Sequence, residues 1–468
     1  MSRETGVGSW EKGPSWETER SRETLALRAR GDFENLDART RGAIMDRALT
    51  QDPSVRARAA GIIERVRAEG DDALLAFARE FDGVALSSID VPRAAWTAAL
   101  EALTPALRRA LERAARNIAA VHAAFLPVET RVSPEPGITV CRRPDALARV
   151  GVYAPGGRAA YPSSLLMGAI PARVAGVGEV IVCSPPGPDG MPSAVVLAAA
   201  ALANVDRVFA VGGAGAIAAM AFGTDTIPRV DRVVGPGNAY VAEAKLQLVS
   251  QVSIDAPAGP SELLVLADDS ADPSAVAREL LAQAEHDPDA AVIAIVCGPH
   301  GAGLAAAIEA ALSLLVEQTP RAPIVRAALA ARGAIVTVRT LTRGIELANE
   351  WAAEHLLLVV HEDVRSATLA ALRSAGTAFV GASSSVAFGD YMTGANHVLP
   401  TAGAARCYSG LSTLDFVRWT TWQEVTPTAA ASLAADVGYF ADAEGLPAHA
   451  AAARAWASNE FAPRDIAS

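Results

Sequence analysis

Two doubly wound, incomplete Rossmann-like α/β domains, with a helical amino-terminal region and a carboxyl-terminal helical arm, are what this sequence predicts. Three observations carry that expectation. From Arg149 onward, short apolar runs alternate with helical segments: Arg149–Tyr153, Glu179–Ser184, Arg207–Val211 and Arg232–Val234 read as buried strands, with helices such as Leu165–Val177 and Ser193–Ala203 between them. A second series of the same kind starts at Glu262 and continues with Ala291–Cys297, Ala334–Val338, His355–Val360 and Thr377–Val380. Glycine-rich turns, Ala154-Pro155-Gly156-Gly157, Gly212-Gly213-Ala214-Gly215 and Gly235-Pro236-Gly237-Asn238, each leave a strand of the first series and lead towards a helix.

Taken in order, residues 1–40 are expected to be disordered or extended. Met1–Arg30 is dense in Arg, Glu and Ser and lacks the apolar stretch of a signal peptide or anchor. From Arg41 to about Phe125 the period is helical, with Pro53 near a helix start, Gly70 as a stop and a new apolar-periodic run over Asp71–Phe81. Residues 41–150 are grouped with 263–405 as one discontinuous α/β domain, into which the glycine-turn domain 151–262 is inserted. Residues 406–468 are expected to form the helical arm.

Composition narrows the function classes. A chain of 468 residues holds several packed cores, and 51% hydrophobic with 20% charged residues is globular. With 41 basic against 52 acidic residues, a net charge of −11 offers no footprint for a phosphate backbone, so no nucleic-acid partner is expected. No run of about 18 apolar residues suggests a membrane span. The four cysteines, Cys141, Cys183, Cys297 and Cys407, never pair as C-x-x-C, and the usage suits a reducing cytoplasm.

Chemistry concentrates in four places. Gly389-Asp390-Tyr391-Met392-Thr393-Gly394-Ala395-Asn396-His397-Val398-Leu399-Pro400-Thr401 packs a carboxylate, a phenol, an amide and an imidazole between chain breakers, as ligand-meeting loops do. Gln283-Ala284-Glu285-His286, Glu354-His355 and Glu444-Gly445-Leu446-Pro447-Ala448-His449 can supply partners, so that four of the seven histidines lie in these stretches. Asp272–His286 reads as one helix, which puts Gln283 and His286 on one face. With Asp390 and His449 they make a nitrogen and oxygen donor set suited to Zn²⁺, Mn²⁺ or Co²⁺. Spacing alone favours the plainer reading, in which Gln283 caps a helix end and His286 is an interior histidine. Glu354-His355, at the start of an extended run, offers a carboxylate and an imidazole for proton transfer. Gly213-x-Gly215-x-x-Ala218 fits a dinucleotide fingerprint, yet Asp231 precedes its strand instead of ending it, the wrong end for a ribose ligand.

Together and in this order, these pieces resemble the histidinol dehydrogenase family. The resemblance runs from about Pro53 to His449 and is carried by Val150-Gly151-Val152-Tyr153-Ala154-Pro155-Gly156-Gly157-Arg158-Ala159-Ala160-Tyr161-Pro162-Ser163-Ser164, Gly235-Pro236-Gly237-Asn238, Ala258-Gly259-Pro260-Ser261-Glu262, Gln283–His286, Glu354-His355-Leu356, Gly389-Asp390-Tyr391, Asn396–Thr401 and Glu444-Gly445. It implies oxidation of L-histidinol to L-histidine in two NAD-linked steps through an aldehyde. By motif match, Gln283, His286, Asp390 and His449 would hold Zn²⁺ and, with it, the substrate. His355 would be the base, Glu354 would activate the hydrating water, and Ser261, His397 and Glu444 would contact substrate. Tyr153, Asn238 and position 215 would belong to the NAD site. Family members are homodimers whose arm reaches the partner's site, so Glu444 and His449 would come from the other subunit.

Three positions depart from the family pattern. Gly215 stands where a glutamine is usual, Ala353 where a proline precedes the Glu-His pair, and Val386 where a glutamate lies four residues before the zinc aspartate. The first bears on cofactor contacts and the third on substrate. Two alternatives follow: a paralogous zinc and NAD dehydrogenase of another amino alcohol or polyol, and a non-catalytic binding protein that keeps the fold.

Overall fold

The protein is described here from a computed structural model, over residues 25–47, 52–156 and 160–457. In chain order its strands are β1 (Ala29–Asp32), β2 (Thr130–Val132), β3 (Ile138–Ala146), β4 (Arg149–Tyr153), β5 (Glu179–Ser184), β6 (Arg207–Ala210), β7 (Arg232–Val234), β8 (Ser253–Ile254), β9 (Glu262–Ala267), β10 (Ala291–Cys297), β11 (Gly333–Val338), β12 (Ala353–Val359), β13 (Ala375–Val380) and β14 (Val417–Val425).

Nine of these form the two predicted series, and every pairing among them is parallel. The first sheet has the order β6-β5-β4-β7-β8 and the second β1-β11-β10-β9-β12-β13. Without the edge strand β1, both share one winding: three strands laid outward, then a return to the far side of the first. Alternate residues leave opposite faces of a strand, and both faces are covered. Val180 and Val182 enter a core shared with helices Pro162–Val174 and Ala194–Leu202, whereas Ile181 and Cys183 enter one shared with Gly213–Phe222 and Ala239–Leu248. In the second sheet Leu263 and Val265 pack on Pro273–Ala284 and Gly301–Val316, while Leu264 and Leu266 pack on Leu341–Trp351.

Three differences from the expected layout have physical causes. Ala29–Asp32 is a paired edge strand against β11, not a loose segment; residues 1–24 lie outside the described part. Helices Pro53–Glu69, Asp71–Phe81, Arg93–Glu101 and Pro105–Ala124, grouped from sequence with the second series, bury Ile63, Leu74, Trp96 and Ile118 in the two cores of the first sheet instead. From this side Leu25, β1, Phe33 and the helix Ala38–Met45, through Ile44, join the second sheet. The arm does not begin as helix: Val417–Val425, rich in the Val, Trp and Thr that suit a pleated surface, pairs antiparallel along the whole of β3. Arg131 over Trp422 and Arg142 over Trp419 cover the sheet's aromatic residues.

Beyond β14 the helices Pro427–Ala443 and Pro447–Arg454 pack on each other through Ala434, Ala441 and Ala450. Their other sides leave Val437, Tyr439, Phe440 and Leu446 exposed, with Tyr439 at 71% and Phe440 at 70%. Among the described residues no helix is long and apolar enough to cross a membrane.

The short link Asp255–Ser261 runs from the end of β8 straight into the start of β9. It therefore sets the carboxyl rim of the first sheet against the amino rim of the second, and the candidate site lies along that seam.

Candidate active site

The expected nucleotide side lies at the carboxyl ends of β4, β6 and β7. β4 and β7 are adjacent although the winding reverses between them, which is where open α/β sheets hold ligands. At the β7 turn Gly235 has φ +114°, its N–H donates to Asp255, and a Cβ there would lie 2.1 Å from the Tyr153 carbonyl oxygen. Asp255 is paired in turn with the buried Lys245, 2.6 Å away, and the Lys245 ammonium also donates to the Gly235 carbonyl. No side chain fits between these groups. Gly235→Ala is expected to cost about 3 kcal/mol or more of stability, from φ strain and the displaced Tyr153 carbonyl together; an unchanged unfolding midpoint in denaturant would contradict this.

The expected cofactor residues divide by role. Asn238 is exposed, and its side-chain oxygen accepts from the N–H groups of Tyr240 and Val241, capping the helix Ala239–Leu248. Its amide nitrogen remains as a donor at the turn. Tyr153 is buried, and its hydroxyl accepts from the Gly213 N–H at 3.1 Å, so it props the second glycine turn from beneath. Gly215 does not face the rim: a Cβ there would come within 3.2 Å of Phe77 and 3.4 Å of Leu74. Close approach of two helices accounts for glycine at this position. Asp231 sits at the amino end of β7, accepting from the Arg149 N–H, which confirms that it cannot serve a ribose at the other end.

Across the seam, Glu354 and His355 occupy the start of β12. The helix Leu341–Trp351 ends in left-handed Ala352, φ 53°, whose turn delivers the pair directly to the strand mouth. Both are held by one residue of the neighbouring β9. The Glu262 N–H donates to Glu354 Oε2 at 2.6 Å, and His355 Nδ1 lies 3.0 Å from the Glu262 carbonyl oxygen. A carbonyl can only accept, so Nδ1 carries the ring proton and the lone pair of neutral His355 is on Nε2. That nitrogen is buried without a hydrogen-bond partner and lies 3.5 Å from Asp390 Oδ1.

Asp390 lies in the last turn of the short helix Val386–Tyr391 instead of in a loop, and the breaker-rich loop that runs on from it is fixed from all sides. Asn117 donates to the Met392 carbonyl at 2.7 Å; buried Asn396 donates to the Met167 carbonyl of the first domain at 2.8 Å; Thr401 accepts from the Gly259 N–H at 2.6 Å. Gly389 rests on Phe379, where a Cβ would stand 2.4 Å from the ring, and that ring lies beside His355. His397 Nδ1 lies 2.9 Å from the Asp390 carbonyl oxygen, leaving its Nε2 for another partner. Val386, at the departing position, is buried in the core, and its N–H donates to Glu279, one turn before Gln283.

Charge in the site is unbalanced. Burial pushes His355 down, but the Glu354 carboxylate, then Asp390, outweigh it and lift the imidazole to about 10. Burial pushes Asp390 up, yet His355, then His397 and His286, hold its carboxyl below the ordinary range. Burial holds His397 down against Asp390. Two carboxylates beside it bias the imidazole towards its protonated form, the opposite of what a base needs. A divalent cation on Asp390 removes one of the two raising charges, so the donor chemistry and the unpaired Nε2 fit a metal.

The four expected ligands are not all brought together in one chain. Gln283 is buried on the last turn of the helix Pro273–Ala284, and His286 lies just beyond that helix instead of on its face, its N–H returning to the Gln283 carbonyl. His286 reaches Asp390 electrostatically and is exposed. His449 and Glu444 are exposed on the arm. Ser261, half-buried, stands immediately before Glu262. Among the described residues, the group of three His, Cys, Asp or Glu ligand atoms within 4.8 Å of one another is Asp268, Asp269 and His361, at the opposite ends of β9 and β12 and containing none of the four. All four cysteines are free, and burial lifts Cys297 to about 12, in keeping with an inert core thiol.

The comparisons with known proteins point one way. A family profile described as histidinol dehydrogenase matches residues 45–456. The histidinol dehydrogenase of Bordetella parapertussis is 46% identical over 407 residues, covering 86% of this chain and 91% of that protein. The histidinol dehydrogenase of Halobacterium salinarum is 48% identical over 400 residues, covering 85% and 92%. The crystal structure of histidinol dehydrogenase from Elizabethkingia anophelis superposes with a TM-score of 0.87 at 32% identity, covering 92% of this chain and 99% of that one. With a match of that extent, a shared fold and a Glu-His pair at the mouth of β12, this chain belongs to the histidinol dehydrogenase family.

Proposed function

We infer that the chain is an NAD- and zinc-dependent histidinol dehydrogenase, carrying L-histidinol through the aldehyde to L-histidine at the end of histidine biosynthesis. One observation carries the assignment of roles. Glu354 and His355 hang from the backbone of a single residue, with the free Nε2 of His355 turned to Asp390.

Gln283, His286 and Asp390, with the partner subunit's His449, would hold Zn²⁺, and the glycine turns with Asn238 would hold NAD. When bound, the metal supplies positive charge and fixed directions for the substrate's imidazole and amine, and NAD accepts hydride. His355 Nε2 takes the hydroxyl proton as the carbinol hydrogen leaves as hydride, giving the aldehyde and the first NADH. Glu354 then takes a proton from a water that adds to the aldehyde carbon. His355 removes a proton from the resulting hydrate as its hydride goes to a second NAD. Ser261 and His397 line the substrate cleft from the β9 link and the Asp390 loop. The alcohol, one water and two NAD⁺ thus yield the acid, two NADH and the released protons.

The chain then divides into a nucleotide unit, 151–262, and a metal and catalytic unit built on the second sheet. The exposed apolar side of residues 427–454 suits a homodimer in which the arm, with Glu444 and His449, completes the partner's site. Four unpaired cysteines, three of them buried, suit a reducing cytoplasm.

The test is NADH formation by the purified protein. L-Histidinol is expected to give about two NADH each, and a chelator to reduce the rate by about 10²-fold or more, with Zn²⁺ restoring it. No turnover of histidinol alongside turnover of another amino alcohol would instead identify a paralogue.

A further inference from the structure

Behind Glu354 and His355 lies a charged pair that the reaction does not use. Arg47 and Glu262 meet at 2.8 Å, each side chain 3% exposed. The second nitrogen of the Arg47 guanidinium donates to the carbonyl of Trp351, and the guanidinium carbon lies over that residue's ring, 3.4 Å from its centroid. The other oxygen of Glu262 accepts from the Ala402 N–H at 2.9 Å. A buried ion pair of this kind is seldom retained for stability, because desolvating two charges offsets most of what their attraction contributes.

Its position supplies the missing reason. Trp351 immediately precedes left-handed Ala352, the turn that aims Glu354 and His355, and Ala402 is itself left-handed, with φ 56°. Among the described residues only three non-glycine positions have positive φ, and two of them sit at this clamp. Left-handed alanine costs about 1 kcal/mol or more and persists only where its surroundings enforce it. The same Glu262 whose side chain is gripped by Arg47 and Ala402 offers its N–H to Glu354 and its carbonyl to His355.

We propose that the buried Arg47–Glu262 pair is a positioning device: it locks the β9 backbone from which Glu354 and His355 hang, and ties it to both the β12 turn and the Asp390 loop. The pair transfers no proton and touches no substrate. This rests on the catalytic reading of Glu354 and His355 given above, and the experiment separates the two.

Glu262→Gln keeps the shape and an acceptor for Ala402 while removing the ion pair. It is expected to lower kcat about 10- to 100-fold, with KM for NAD and the alcohol within about threefold, and bound zinc and the unfolding midpoint close to the wild type. Arg47→Ala is expected to fall at least as far, and added guanidinium to restore part of its kcat but none of that of Glu262→Ala. Wild-type kcat in Glu262→Gln, a rise in KM at constant kcat, or a loss that follows unfolding across the series would each overturn the proposal. If Arg47→Ala does not fold, Glu262→Gln decides alone. Rates are referred to the wild type with whichever alcohol it oxidises, so failure with histidinol sinks the substrate assignment without touching this comparison.

Discussion

His355→Ala is expected to lower kcat for both oxidations by about 10²- to 10⁴-fold while leaving KM for NAD within about threefold. The size follows from the geometry. One imidazole is asked to take the proton in each of two hydride transfers. His397 lies nearby, but its Nδ1 is committed to the Asp390 carbonyl and its ring belongs to the loop, not to the strand mouth. The matching variant Glu354→Gln is expected to behave differently. It keeps the bond to the Glu262 N–H through its amide oxygen, so the first oxidation continues, but it cannot activate the hydrating water. NADH yield per histidinol should fall from two towards one, with aldehyde recoverable by a carbonyl trap. The yield is read from absorbance at substrate exhaustion. Near wild-type turnover in His355→Ala would remove the imidazole from the chemistry altogether.

Mixing two inactive variants is expected to restore activity. If each site takes Gln283, His286 and Asp390 from one chain and His449 from the other, then His355→Ala and His449→Ala damage different halves of the site. Random re-association makes half of the dimers mixed, and each mixed dimer has one intact site, so about a quarter of wild-type activity should return. The structure motivates the experiment in two ways. His286 and His449 are both exposed, as ligands awaiting another chain would be, and the arm presents Tyr439 and Phe440, large aromatic residues of the kind that interfaces bury. Titration of one variant against the other, followed by NADH formation after slow dilution from denaturant, gives the curve. A mixture no more active than its components would place His449 in the same chain's site or in none.

The parallel strands were legible because each is a short buried run bounded by breakers, a signal confined to neighbouring residues. Glu179–Ser184 and Ala291–Cys297 agree to the residue. The antiparallel β3 and β14 were not read, although Val417–Val425 carries strand-forming residues, because the sheet they build is half-exposed and lacks a continuous apolar run. The pattern over 53–124 does not tell which sheet those helices join for a related reason: an amphipathic face says that a helix is covered, never by what.

The candidate site divides along the same line. Glu354-His355, Asp390, His397 and Gln283–His286 announce themselves as polar groups set among breakers or at element ends, and their order along the chain was enough to name a family. Arg47 gave no such sign, lying alone at the end of a short helix. Its partner Glu262 is 215 positions away, and its second contact, Trp351, is 304 away. Periodicity and local turn chemistry reach a few residues, whereas burial of a charge is decided by what the folded chain closes over it. The candidate side chains are therefore written locally; which ring nitrogen of His355 keeps its proton and what holds Glu354 still depend on contacts that exist only once the strands have paired.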